Sequence, residues 1–110
     1  MKKLLAVIIT LMSLLHYNLS YAEGWISGAG AATCAQVLDK LDSTSDQTFY
    51  FFFASWMQGF ITAENLFFNT SVLQDSEIDD EFTIIKQYCR QNLMIDFKTA
   101  VEWYYVQKTR

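Results

Sequence analysis

The sequence has no proline, only four glycines, two cysteines and one histidine, and its eight basic residues are outnumbered by twelve acidic ones. Each scarcity narrows the chemistry. The histidine is His16, inside an N-terminal stretch that reads as an export signal. Lys2 and Lys3 form a basic start, residues 4–15 are almost unbroken apolar chain, and Ser20-Tyr21-Ala22 supplies the small residues of a cleavage site. About a dozen apolar residues are fewer than the roughly 20 that a membrane span needs. The sequence therefore predicts a signal peptide over residues 1–22, with an uncleaved anchor as the competing reading. The mature chain would be residues 23–110, periplasmic and without histidine. That composition excludes Ser-His-Asp and Cys-His catalysis and imidazole-ligated zinc.

Charge is the next exclusion. Without Lys2 and Lys3 the chain keeps six basic residues, scattered singly, against twelve acidic ones, a net charge of −6. Nucleic-acid binding needs a concentrated basic face, which is missing. Gly28 and Gly30 have no preceding strand and no following GK[ST], so a phosphate loop is not indicated. Cys34 and Cys89 do not form a CxxC pair. In an exported chain they are read as one structural disulfide rather than a redox or metal pair. Closing a loop of that size stabilises by about 4 kcal/mol in the chain-entropy model, which matters in a domain this small.

The sequence is rich in aromatics between residues 49 and 68, FYFFFASWMQGFITAENLFF, which holds seven of the nine phenylalanines. It is expected to be a long central helix, because its polar residues cluster instead of alternating. A buried strand and a second membrane span are the alternatives weighed; Gln58, Glu64 and Asn65 interrupt the latter. Phe49, Phe52, Phe53, Trp56, Phe60, Ala63 and Phe67 make one stripe at helical spacing, and Tyr50, Phe51, Met57 and Ile61 extend the apolar surface around the cylinder, so the helix must be contacted on most sides or offer surface to a partner. Gly59 costs a helix roughly 1 kcal/mol relative to Ala. It is read as a place where a neighbouring helix approaches closely, with a kink as the competing reading. Glu64, near the helix end, is read either as exposed or as a partly buried pH-sensing group.

Three further helices are expected around it. Thr33 caps the first, with Cys34, Val37, Leu38 and Leu41 on its inner face. Ser45 or Asp46 caps the central helix. Asp75-Ser76 with Asp79 resembles a capping box for the third, whose stripe is Ile78, Phe82, Ile85 and Cys89. The acidic run Asp75, Glu77, Asp79, Asp80 and Glu81 suits a helix N-terminus, and a calcium loop is disfavoured because no glycine stands at the turn position. Asp96 caps the last helix, with Phe97, Ala100, Val101, Tyr104 and Tyr105 inward and Trp103 flanking. Residues 23–32 are expected to form a flexible segment with Trp25 pinned to the body, and residues 33–110 the helical domain. The fold class is all-α: a small single-domain irregular four-helix bundle with one disulfide and a long central aromatic helix. With no convergent polar constellation, the chain is read as a non-enzyme with no cofactor and no metal.

Cys34, the segment Ser55-Trp56-Met57-Gln58-Gly59-Phe60, the segment Tyr88-Cys89-Arg90-Gln91-Asn92, and Asp96-Phe97 followed by Ala100-Val101 together resemble small exported bacterial proteins of the HdeA/HdeB type. The likeness covers about residues 33–106. It implies a helical fold with one disulfide, a homodimer at neutral pH, and acid-stress chaperone activity in which apolar surface holds unfolded clients. Tai-type immunity proteins of type VI secretion share a similar outline and imply binding of one toxin. Under either resemblance the partner is a protein, with Phe52, Phe53, Trp56, Gly59 and Phe60 as core or partner-binding residues. No nucleic acid is implied, and no membrane once the signal is removed.

Overall fold

A computed structural model describes residues 2–8 and 26–110. Residues 2–8 are helical; the expected cleavage site and Trp25 lie outside the described residues. The described part of the domain contains a 3-10 turn, Gly28–Ala31, and four α-helices: α1, Cys34–Ser43; α2, Thr48–Phe68; α3, Ile78–Gln91; and α4, Phe97–Thr109. The described residues contain no β-strand beyond a single bridge between Thr33 and Asp96. The domain is all-α, as the periodicity predicts.

The helix starts follow from their capping residues, with two departures. Thr33 and Gln36 form a reciprocal capping box, each accepting the other's backbone N–H at 3.2 and 2.9 Å. Asp96 accepts from the Thr99 N–H at 2.7 Å and the Thr99 hydroxyl at 2.6 Å. Before α2, Asp46 accepts from the Thr48 N–H at 2.9 Å while Gln47 occupies the cap position itself. The capping box expected at Asp75-Ser76 does not form: α3 begins after Glu77, which makes no side-chain cap bond. Asp79, Asp80 and Glu81 in its first turn favour that helix end electrostatically instead.

The connection from α2 to α3 contains no glycine or proline, yet Asn69, Leu73 and Asp75 all have positive φ. Asn and Asp adopt that conformation more readily than other side-chain-bearing residues, and an internal template supports the loop. The Asn65 side chain accepts from the Val72 N–H at 3.0 Å and the Thr70 hydroxyl at 2.9 Å, and donates to the Val72 carbonyl at 2.9 Å. Asn69 ends the helix in a left-handed C-cap, and the Asn65 side chain holds the following loop back onto it.

Three amphipathic faces supply the core. Val37 and Leu38 of α1, Phe82 and Ile85 of α3, and the whole expected inner face of α4 are buried. The disulfide joins Cys34 at the start of α1 to Cys89 near the end of α3, with Cα atoms 4.9 Å apart and both residues fully buried. Beside it, backbone bonds tie the start of α1 to the start of α4: Cys34 N–H to Ile95 at 2.8 Å, Ala35 N–H to Leu93 at 2.9 Å, and Phe97 N–H to Ala32 at 2.7 Å. Tyr88 of α3 stacks on Trp103 of α4, centroids 4.0 Å apart and nearly parallel.

Residues 28–31, within the stretch expected to be flexible, are packed. Ala29 and Gly30 are buried in contact with α2 and α4. The reason is steric: the absent Gly30 side chain leaves room for the six-membered ring of Trp56. The glycine expected to admit a neighbour, Gly59, does not. It is exposed, and a Cβ there would meet nothing within 4 Å. Close approach occurs at Gly30 instead.

Candidate protein-binding surface

Helix α2 is apolar around nearly its whole circumference, while the bundle covers only one side. Phe53, Ala54, Met57 and Ile61 are buried. Phe53 meets Phe97 edge-on at 5.4 Å between centroids. Trp56 is half-buried, stacked on half-buried Phe60 at 5.4 Å and tilted against Phe97 at 5.7 Å. The inner face is therefore rotated from the expected stripe. Phe53, Trp56 and Phe60 stand at or beside the core, whereas Phe52, Ala63 and Phe67 face outward. Of the residues read as core or partner-binding, Phe52 and Gly59 are exposed and do not belong to the core. Periodicity could not choose among faces that were all apolar; the neighbouring helices made the choice.

What remains uncovered is large. At the start of α2, Phe51 is 61% and Phe52 53% exposed; at its end, Phe67 is 81% and Phe68 57% exposed, beside the similarly exposed Leu66. Isolated exposed apolar side chains are ordinary, but contiguous aromatic ones mark binding surfaces. The second cluster borders an open groove of about 590 Å³ between the C-terminal turns of α2 and α4. Phe67, Phe68 and Thr70 form one wall, and Val106 and Thr109 the other. Tyr105 provides the floor, its ring fixed because its hydroxyl hydrogen-bonds Thr70 at 2.6 Å. Glu64 and Glu102 stand at the rim. The residues Leu66, Phe68, Tyr105 and Val106 were not singled out as a surface by the sequence reading. The available signal was an apolar Leu-Phe-Phe run directly before a polar loop, at a helix end that a neighbour cannot fully cover.

Several polar side chains link the helices. The Tyr50 hydroxyl donates to Asp79 and the Tyr104 hydroxyl to Glu81, linking α2 and α4 to the first turn of α3. Glu81 also pairs with Lys108 at 3.2 Å. Burial, reinforced by the hydrogen bond and charge of Asp79, pushes Tyr50 up to about 12. Burial and Glu81 push Tyr104 up as well. Glu64 is half-buried, and Glu102 pairs with Lys98 on its own helix. No group of three or more His, Cys, Asp or Glu residues placed to hold a metal ion occurs among the described residues. No described helix is long and apolar enough to cross a membrane, α2 included.

Among the described residues the surface thus carries an apolar groove with two carboxylates, Glu64 and Glu102, in its lining. No family model matches the chain, and comparisons with curated proteins and with solved structures returned no match.

Proposed function

We propose that the chain is an exported, periplasmic protein-binding domain that holds unfolded clients in acid, in the manner of HdeA/HdeB-type chaperones. The observation that carries this reading is the uncovered aromatic surface of α2, at both its ends. Such a surface binds apolar segments of other proteins and needs no cofactor. Acid adds a means of enlarging it. With its carboxylates protonated the mature chain passes from −6 to at least +6, and like charge loosens compact states and associations.

The test is aggregation of a client protein near pH 2–3 with and without the purified domain. Suppressed aggregation accompanied by increased binding of an apolar dye is expected; absence of both overturns the proposal. A second reading, an immunity protein neutralising one toxin, is favoured by the groove being formed in the folded domain, as a partner of fixed shape requires. Affinity capture separates the two. Many clients in acid alone support the chaperone, whereas one stoichiometric partner at neutral and acidic pH supports the immunity protein.

A further inference from the structure

The groove has an electrostatic character of its own. Helices α2 and α4 run in the same sense along their contact: Phe53 and Trp56 meet Phe97 at one end, and Phe68 meets Tyr105 at the other. Both C-termini therefore arrive at the groove together, and each brings the negative end of a helix dipole. Glu64 and Glu102 add carboxylates at the rim. Glu102 is engaged with Lys98, whereas no ion pair to Glu64 occurs among the described residues. The nearby Lys108 is turned to Glu81 and to the face of Tyr104, and Arg110 is exposed at the chain end. An apolar floor under a negative rim fits a ligand that is apolar at its centre and cationic at its edge.

We infer that this groove receives a short segment of a partner protein in which a bulky apolar side chain lies beside a lysine or arginine. The apolar side chain packs on Phe67, Phe68 and Tyr105, and the cation pairs with Glu64. This deepens the protein-binding reading proposed above and rests on it. A second copy of the chain is a poorer occupant, because each carries the same net negative charge. Its best candidate segment is the loop with exposed Leu93 and Met94 beside Arg90.

The probes are two dye-labelled amphipathic peptides with identical Leu and Trp residues, one carrying lysines and the other glutamates at the same polar positions. Binding is followed by fluorescence anisotropy at neutral pH. The lysine peptide is expected to bind one-to-one and at least about tenfold tighter than the glutamate peptide, a difference of 1.4 kcal/mol. Phe67→Ser is expected to weaken it about tenfold, as loss of a contact anchor does. Phe67 is exposed, so the variant keeps its fold. Glu64→Gln should remove most of the preference for lysine and reduce the salt dependence. Phe51→Ser with Phe52→Ser, at the far end of α2, should change nothing.

Equal affinity for the two peptides overturns the inference, as does weakening by the Phe51/Phe52 variant equal to that by Phe67→Ser. Concentration-dependent self-assembly abolished by Arg90→Glu overturns it in favour of a second copy. Client protection in acid without peptide binding leaves the chaperone reading standing and sinks the groove; selective peptide binding without client protection does the reverse.

Discussion

Replacing Gly30 by alanine tests the packing of the domain at its tightest point. The added Cβ would sit 2.1, 2.5 and 2.7 Å from three atoms of the Trp56 ring, where unstrained carbon atoms keep about 3.5–4.0 Å. The ring has little room to retreat, since Phe60 stacks on it and Phe97 lies against it. The turn cannot easily lift either, because Ala29 is buried and Ala32 accepts the Phe97 N–H at 2.7 Å. Overpacking of this kind costs about 1–3 kcal/mol. In a domain of this size each kcal/mol corresponds to about 4–8 °C of melting temperature. The cost is limited by the docking energy of the turn, because a turn that detaches relieves the clash; a red shift of tryptophan emission would report that escape. Urea unfolding of the oxidised protein, followed by circular dichroism and fluorescence, measures both. Gly59→Ala is the matched control: with open space around it and a helical backbone, it should stabilise by about 0.5–1 kcal/mol. Repeating Gly30→Ala in a Trp56→Ala background should remove most of its cost. An undiminished cost there, or no cost in the wild-type background, refutes the steric argument.

The disulfide and the tyrosines give two more expectations. Removing the Cys34–Cys89 bridge, as the double alanine variant, should lower stability by about 4 kcal/mol by the chain-entropy relation for the 55-residue separation; an unchanged urea midpoint would contradict it. Tyr50 and Tyr104 keep their protons in the folded state beyond the ordinary tyrosine value near 10. Their contribution is thus complete below pH 10 and lost as pH rises toward and through about 12 for Tyr50. Urea midpoints should fall across that window, and less steeply in Tyr104→Phe; a flat profile would show that these hydroxyls do not stay protonated.

How much of this was legible depended on contrast within each helix. In α1, α3 and α4 apolar and polar residues alternate at helical spacing, so Val37, Phe82, Ile85 and Val101 could be placed inward from periodicity alone. Thr33 and Asp96 announced two helix starts, because their side chains bond the backbone locally and need no tertiary partner. In α2 that contrast is absent. Phe52 and Phe67 are as apolar as Met57 and Ile61, and only the positions of the other helices make the first pair solvent-facing. The loop after α2 was opaque for a similar reason. Its shape comes from the Asn65 side chain bonding Thr70 and Val72, a contact indistinguishable in sequence from an ordinary polar interruption. The groove was hidden because two helices from different parts of the chain make it.

The backbone bonds between the start of α1 and the start of α4 also set an order of events. They join residues some sixty positions apart, and the core between them needs Phe97, Ala100, Val101 and Tyr104 to close. A chain that emerges from its N-terminus first has no way to complete that core until α4 has followed. Meanwhile the aromatic helix, the most apolar of the four domain helices, is already out and uncovered. Contacts of such separation slow folding, and exposed apolar surface in the interval invites aggregation. The arrangement makes the docking of α4 the step that turns a sticky polypeptide into a folded domain, so deleting that helix would leave the core without the side chains that close it.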